Sequence, residues 1–175
     1  PFRQWQPGRT IRSIGNFACG FHRDFCQNHE IVHNPHTVRT PILDEKLLRL
    51  AGANGSVGIA FTYNEPIVGY EMMYRLAQKS RAAGLLTAVI SNGFICTKPL
   101  KALIPYIDAW NIDLKMADDV TYRRICGGTM EDVLRTSRIC HEMCHVEVTT
   151  LLIEGLNTGC GQVDRIARAV ADIST

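Results

Sequence analysis

The chain has 175 residues, of which 46% are hydrophobic and 21% are charged, and its formal net charge is +2. This is the composition of a globular protein with one sizeable core, and its scattered basic residues mark no nucleic-acid surface. No apolar run approaches the roughly 20 residues that cross a bilayer, so we expect no membrane segment. Seven cysteines at irregular spacing favour reduced thiols in a cytoplasmic protein over a disulfide framework.

Strands and helices are predicted to alternate along the chain. The predicted strands are 11–16, 58–62, 85–91, 109–115 and 145–152. The predicted helices run from Thr40-Pro41 to Gly52, over about 66–83, after Thr97-Lys98-Pro99, and over about 130–143 and 161–173. This order is typical of parallel strands joined by right-handed crossovers.

The predicted strands alternate between apolar and polar residues. In strand 109–115, the apolar residues are Trp110, Ile112 and Leu114, and the polar residues between and after them are Asn111, Asp113 and Lys115. A parallel sheet that is covered by helices on both faces shows continuous apolar runs instead. We therefore predict a curved sheet whose polar face lines a ligand cavity, as in a βα barrel, with the chemistry at the C-terminal ends of the strands.

Two cysteines, Cys19 and Cys26, follow the first predicted strand with six residues between them. A third cysteine at position 23 would complete the CxxxCxxC loop, whose three thiolates hold a [4Fe–4S] cluster and leave one iron open. Arg23 stands there instead, and its guanidinium is a poor metal ligand because it stays protonated. Three interpretations are open: the cluster is lost and the protein inactive, His22 or His29 replaces the thiolate, or Arg23 does not represent the working protein.

The segment His29-Glu30-Ile31-Val32-His33 matches the HExxH signature of zinc proteases. That chemistry needs both histidines on one face of a helix. Because Asn34-Pro35 follows at once, we interpret these histidines as loop residues. A zinc site that combines them with Cys19 and Cys26 stays an alternative.

Seven motifs run in order over nearly the whole chain. They are Ser13-Ile14-Gly15, Phe25-Cys26-Gln27-Asn28, Thr62-Tyr63-Asn64-Glu65-Pro66, Ser91-Asn92-Gly93-Phe94, Asn111-Ile112-Asp113-Leu114-Lys115, Cys126-Gly127-Gly128 and the stretch 145–153. On these motifs the chain resembles the pyruvate formate-lyase activating enzyme group of radical S-adenosylmethionine (SAM) proteins, in particular the AmmeMemoRadiSam system radical SAM enzymes. The resemblance implies an α/β fold, a partial (βα)6 TIM-like barrel with about five βα units present. Residues 1–175 are expected to form one radical SAM core domain, truncated at both ends.

The resemblance also implies a chemistry. In the family, S-adenosyl-L-methionine binds the open iron of a [4Fe–4S] cluster, and one electron cleaves it to methionine and a 5′-deoxyadenosyl radical. That radical abstracts hydrogen from a substrate, which in activating enzymes is a glycine of a partner protein. The implied partners are a protein substrate and an electron donor such as flavodoxin or ferredoxin.

Site residues follow from the resemblance by position. The metal ligands are Cys19 and Cys26, and the cofactor-binding residues are Phe25, Cys26, Asn64, Glu65, Ser91, Asn92, Asp113 and Lys115. With Arg23 in the cluster loop, the expected protein is a radical SAM enzyme with impaired cluster binding. The alternatives are an inactive barrel that binds SAM or a partner protein, and a zinc-binding module.

Overall fold

A computed structural model describes residues 2–21, 25–33 and 42–174. Five parallel strands form one sheet in chain order, so each strand pairs with the next along the sequence. They are β1 (Thr10–Ile14), β2 (Ser56–Phe61), β3 (Leu86–Ser91), β4 (Ala109–Asp113) and β5 (His145–Thr149). The predicted α/β fold is confirmed, and the sheet is open, with β1 and β5 at its edges.

The described part of the chain contains seven α-helices. They are α1 (His29–His33), α2 (Asp44–Ala51), α3 (Tyr70–Ala82), α4 (Thr97–Leu103), α5 (Asp119–Cys126), α6 (Met130–His141) and α7 (Cys160–Ala171). Two 3₁₀ turns, Pro66–Gly69 and Ile104–Tyr106, precede α3 and follow α4. Within the described ranges, no helix is long and apolar enough to cross a membrane.

Two short helices differ from the sequence prediction. Residues 29–33, predicted as a loop, form α1, so that prediction was wrong. Helix α5 was not predicted, although the Asp118 side chain accepts a hydrogen bond from the Thr121 N–H at its start and Gly127 ends it with φ +79°. The predicted start of a helix at Thr40-Pro41 lies outside the described residues.

The two faces of the sheet have different side chains. On the outer face, Trp110 and Ile112 of β4 are fully buried in the main core against the helices. On the inner face, Ala60, Ala88 and Ala109 stand side by side on neighbouring strands. Further along the same face, Asn111 and Asp113 lie towards the carboxyl end of β4, as the alternation of the sequence predicts.

Candidate functional site

A cavity of about 690 Å³ lies at the carboxyl ends of the strands. This is the end of a βα sheet where ligands usually bind. Six of the nine predicted site residues line it: Cys19, Phe25, Cys26, Asn64, Asp113 and Lys115. The other three, Glu65, Ser91 and Asn92, are buried outside its lining. The structure thus brings together residues that are almost 100 positions apart in the sequence.

The two predicted thiol ligands share this cavity. The Cys19 Sγ accepts hydrogen bonds from the Phe21 N–H at 3.4 Å and from the Asn92 Nδ2 at 3.9 Å. In iron–sulfur proteins, hydrogen bonds to a coordinating sulfur tune the reduction potential of the cluster. His22 and Arg23 lie outside the described residues.

The donor set fits a [4Fe–4S] cluster only in part. The cavity is lined by two cysteines, whereas a loop that leaves one iron open supplies three thiolates. Among the residues that the structure describes, no group of three or more His, Cys, Asp or Glu side chains converges on one point. The described residues therefore complete neither a cluster site nor the alternative zinc site.

Glu65 joins the ends of two strands. Its Oε1 accepts hydrogen bonds from the Ser91 hydroxyl at 2.7 Å and the Ile67 N–H at 3.2 Å, and its Oε2 accepts one from the Asn92 N–H at 2.8 Å. Burial raises the pKa of this carboxyl, and the three hydrogen bonds oppose that rise. Glu65 is therefore in contact with both Ser91 and Asn92, and these hydrogen bonds hold the end of β3 to the turn after β2.

Asp113 and Lys115 form an ion pair in the cavity wall. The Lys115 Nζ lies 2.8 Å from the Asp113 Oδ2, and the lysine is only 7% exposed. The Lys115 carbonyl accepts a hydrogen bond from the Asn157 Nδ2 at 2.9 Å, and its N–H donates to the Tyr122 hydroxyl at 3.4 Å. Asn157 and Tyr122, which sequence reasoning missed, thus fix the lysine backbone. The pair offers a cation and an acceptor to a zwitterionic ligand.

The turns around the cavity hold unusual backbone conformations. Tyr63 has φ +75° and Ala18 has φ +68°, in the left-handed region that non-glycine residues rarely adopt. The Tyr63 carbonyl accepts a hydrogen bond from the Asn28 side chain, and the Asn16 carbonyl accepts one from Asn64. These two bonds link the cysteine loop, the end of β1 and the end of β2. Strained conformations of this kind cluster at functional sites.

Comparison with known proteins shows the family to which the chain belongs. The family model for the Radical SAM superfamily matches residues 16–160. The chain is 33% identical over 178 residues to the uncharacterized protein MJ0808 of Methanocaldococcus jannaschii, covering 98% of this chain and 52% of that protein. It is 26% identical over 117 residues to the indoleacetate decarboxylase activating enzyme of Tractidigestivibacter scatoligenes, covering 66% and 37%. The chain therefore spans about half or less of the length of these relatives.

A solved structure shows the likeness of fold. Streptococcus suis SuiB bound to its precursor peptide SuiA superposes with a TM-score of 0.72 at 12% identity, covering 95% of this chain and 38% of SuiB. At that identity the likeness concerns the fold alone.

Proposed function

The chain belongs to the Radical SAM superfamily, and we propose that its cavity binds SAM beside a cluster loop that Arg23 has impaired. Membership in the superfamily supports SAM-dependent radical chemistry and, in general, a [4Fe–4S] cluster. The assignment of the individual residues and the effect of Arg23 are our proposal. The observation that carries it is the single cavity in which Cys19, Cys26 and the Asp113–Lys115 pair meet.

The residues of the cavity suit the chemical groups of SAM. Lys115 has two ammonium N–H groups beyond the one directed at Asp113, and we assign them to the carboxylate of the methionine part. Asp113 and Asn64 supply acceptors for the amino group and the ribose hydroxyls, and Phe25 supplies an apolar surface for adenine. Together they would orient the ligand and hold its sulfonium end towards the thiols. In this family, a reduced cluster supplies the electron that cleaves SAM.

The proposal also names a class of substrate, a protein or peptide. One relative is an activating enzyme, and SuiB is bound to a precursor peptide. Three apolar side chains at the carboxyl ends of the strands, Tyr63, Leu151 and Leu152, are 42–54% exposed, and a peptide would cover them. Glycyl-radical activation and a flavodoxin or ferredoxin as electron donor, both in the cytoplasm, complete this proposal.

A second candidate follows from the incomplete cysteine motif. With two thiols in place of three, the chain would bind SAM or a partner protein without cleaving SAM. The two candidates share SAM binding and differ in reductive cleavage. Within the described ranges no third metal ligand joins the two cysteines, so a zinc-binding module has less support than either.

The test of the SAM site is a pair of matched lysine variants. Lys115→Met removes the ammonium group that is paired with Asp113 in the cavity wall, and Lys101→Met removes an exposed lysine on α4. A charge-assisted hydrogen bond stabilises a complex by about 1.5–3 kcal/mol, so we expect SAM affinity to fall roughly tenfold or more in Lys115→Met alone. Calorimetric titration of SAM measures this, with thermal unfolding of each variant as a check of folding. Equal SAM affinity of the two variants, both folded, would overturn the assignment.

A further inference from the structure

The inner face of the sheet is filled by the start of the chain. We call residues 2–9 the N-terminal segment. Its Phe2 and Trp5 rings, with centroids 5.3 Å apart, pack against the buried alanines Ala60, Ala88 and Ala109. The interior of a βα barrel is normally filled by branched side chains of its own strands. Here the strands carry alanines, whose small side chains leave that space unfilled, and the two aromatic rings occupy it.

Glu147 of β5 holds the N-terminal segment in place. Its carboxylate accepts hydrogen bonds from the backbone N–H groups of Arg3 at 2.8 Å, Gln4 at 2.9 Å and Trp5 at 3.2 Å. The His145 Nε2 lies 3.1 Å from the same carboxylate. Three successive N–H groups on one carboxylate fix the backbone of the segment and therefore the position from which the Arg3 side chain extends.

Arg3 is a second basic residue in the lining of the cavity, beside Lys115. In the described parts of the chain no ion pair includes Arg3, whereas the acid of the cavity wall, Asp113, is already paired with Lys115. Of the described charged residues that line the cavity, two are basic and one is acidic. The described lining of the cavity thus has one positive charge in excess.

Asn111 adds a buried amide NH₂ group that has no hydrogen-bond acceptor among the described residues. It lines the same cavity, is 2% exposed, and pairs across β4 and β5 with Glu147, the residue that holds Arg3. Its Oδ1 accepts a hydrogen bond from the Thr149 hydroxyl at 3.1 Å, while its Nδ2 has no partner among the described residues. A buried amide N–H without an acceptor is unfavourable, and an acceptor bound in the cavity would satisfy it.

We propose that Arg3 and Asn111 bind a carboxylate group of the substrate, and that Arg3 determines specificity for acidic substrates. The inference deepens the proposed function and rests on it for the reaction, since it concerns the same cavity. A carboxylate matches the fork of the guanidinium and accepts the amide N–H at the same time. It also balances the excess positive charge. The group belongs to the substrate because Lys115 is already assigned to the carboxylate of SAM.

The test is a titration of small carboxylates in matched arginine variants. Arg3→Gln removes one of the two basic residues of the described cavity lining, and Arg9→Gln removes an arginine of the same segment that does not line the cavity. Both arginines are exposed. The probes are glutarate, its uncharged analogue glutaramide, and a capped Gly-Asp-Gly peptide, titrated by calorimetry into protein with its affinity tag at the C-terminus. SAM affinity is measured in the same variants.

The expected result is saturable binding of glutarate or the acidic peptide to the unmodified protein and to Arg9→Gln. We expect at least a tenfold loss in Arg3→Gln, no binding of glutaramide and unchanged SAM affinity. Tighter binding of the peptide identifies a peptide substrate, tighter binding of glutarate identifies a small acid, and both support the anion site. Equal binding to the two variants, or no saturable binding to the unmodified protein, overturns the anion site while leaving SAM binding untouched. A parallel loss of SAM affinity in Arg3→Gln overturns the assignment to substrate.

Discussion

Replacing Glu147 by glutamine is expected to release the N-terminal segment from the sheet. Burial would raise the pKa of this carboxyl, but the backbone N–H groups of Arg3, Gln4 and Trp5, together with His145, outweigh burial and lower the pKa from 4.5 to about 2. A lowering of about 2.5 units corresponds to about 3 kcal/mol at 1.36 kcal/mol per unit. The side chain is 15% exposed, so we expect a loss of about 2–3 kcal/mol in Glu147→Gln at pH 7.

The pH dependence of this contribution has a definite sign. Because the pKa of Glu147 is lower in the folded protein, its stabilisation is complete above pH 4.5 and is lost as the pH falls towards 2. Urea unfolding followed by tryptophan fluorescence measures the difference between the original protein and Glu147→Gln at several pH values. We expect that difference to shrink below pH 4.5. Trp5 reports release of the segment, because Trp110 is buried in the main core on the other face.

Glu142→Gln is the matched control, because it removes an exposed carboxyl group from outside the N-terminal segment and β5. Glu142 is exposed at the end of α6, and Glu142→Gln should leave the stability of the protein within about 0.5 kcal/mol of its original value. The reasoning is refuted if Glu147→Gln is as stable as Glu142→Gln at pH 7. It is also refuted if the effect of Glu147→Gln does not change between pH 7 and pH 3.

Two further predictions concern the scaffold. Gly93→Ala should lower the free energy of unfolding by about 2–4 kcal/mol in urea titration, because φ is +72° and a Cβ would lie 2.9 Å from the Ile112 Cγ2. The control Gly155→Ala has φ +74° but open space around the new Cβ, so its free energy of unfolding should fall by only about 1–2 kcal/mol. Equal losses in the two variants would contradict the packing argument. Asp44→Asn should lower the free energy of unfolding by about 1 kcal/mol at pH 7. The hydrogen bonds from Arg75 and then Lys79 lower the pKa of Asp44 to about 2, but both partners are largely solvated, which keeps the effect small. In urea unfolding monitored by circular dichroism this loss should disappear between pH 4 and pH 2, and a constant loss would exclude the ion pairs as its cause.

The arrangement of the sheet could be predicted from local patterns. Apolar and polar residues alternate along strand 109–115, and that alternation alone assigns Asn111 and Asp113 to the face that lines the cavity. Helix α5 was not predicted, because eight residues are too few for the spacing of apolar residues to distinguish a helix from a turn. Its best signals were the capping Asp118 and the glycine at position 127.

The tertiary contacts of the site could not be predicted in this way. Sequence position assigned Glu65 to the cofactor, which stays a prediction, but it gave no sign of the three hydrogen bonds that the Glu65 carboxylate accepts from the Ile67 N–H, the Ser91 hydroxyl and the Asn92 N–H. The packing of Phe2 and Trp5 on the sheet was not predicted, because the space that these rings fill is left by alanines on three different strands. Those alanines become neighbours only once the strand register is known.

Anaerobic reconstitution with iron and sulfide tests the central claim most directly, with the original protein beside Arg23→Cys. The account predicts about four irons per chain, and 5′-deoxyadenosine on reduction with SAM, for Arg23→Cys alone. Cys26→Ser in the Arg23→Cys background should lose the iron, and Cys96→Ser, at an exposed thiol outside the cavity, should keep it. Four irons and equal SAM cleavage in the original protein would contradict the claim that Arg23 impairs the cluster loop.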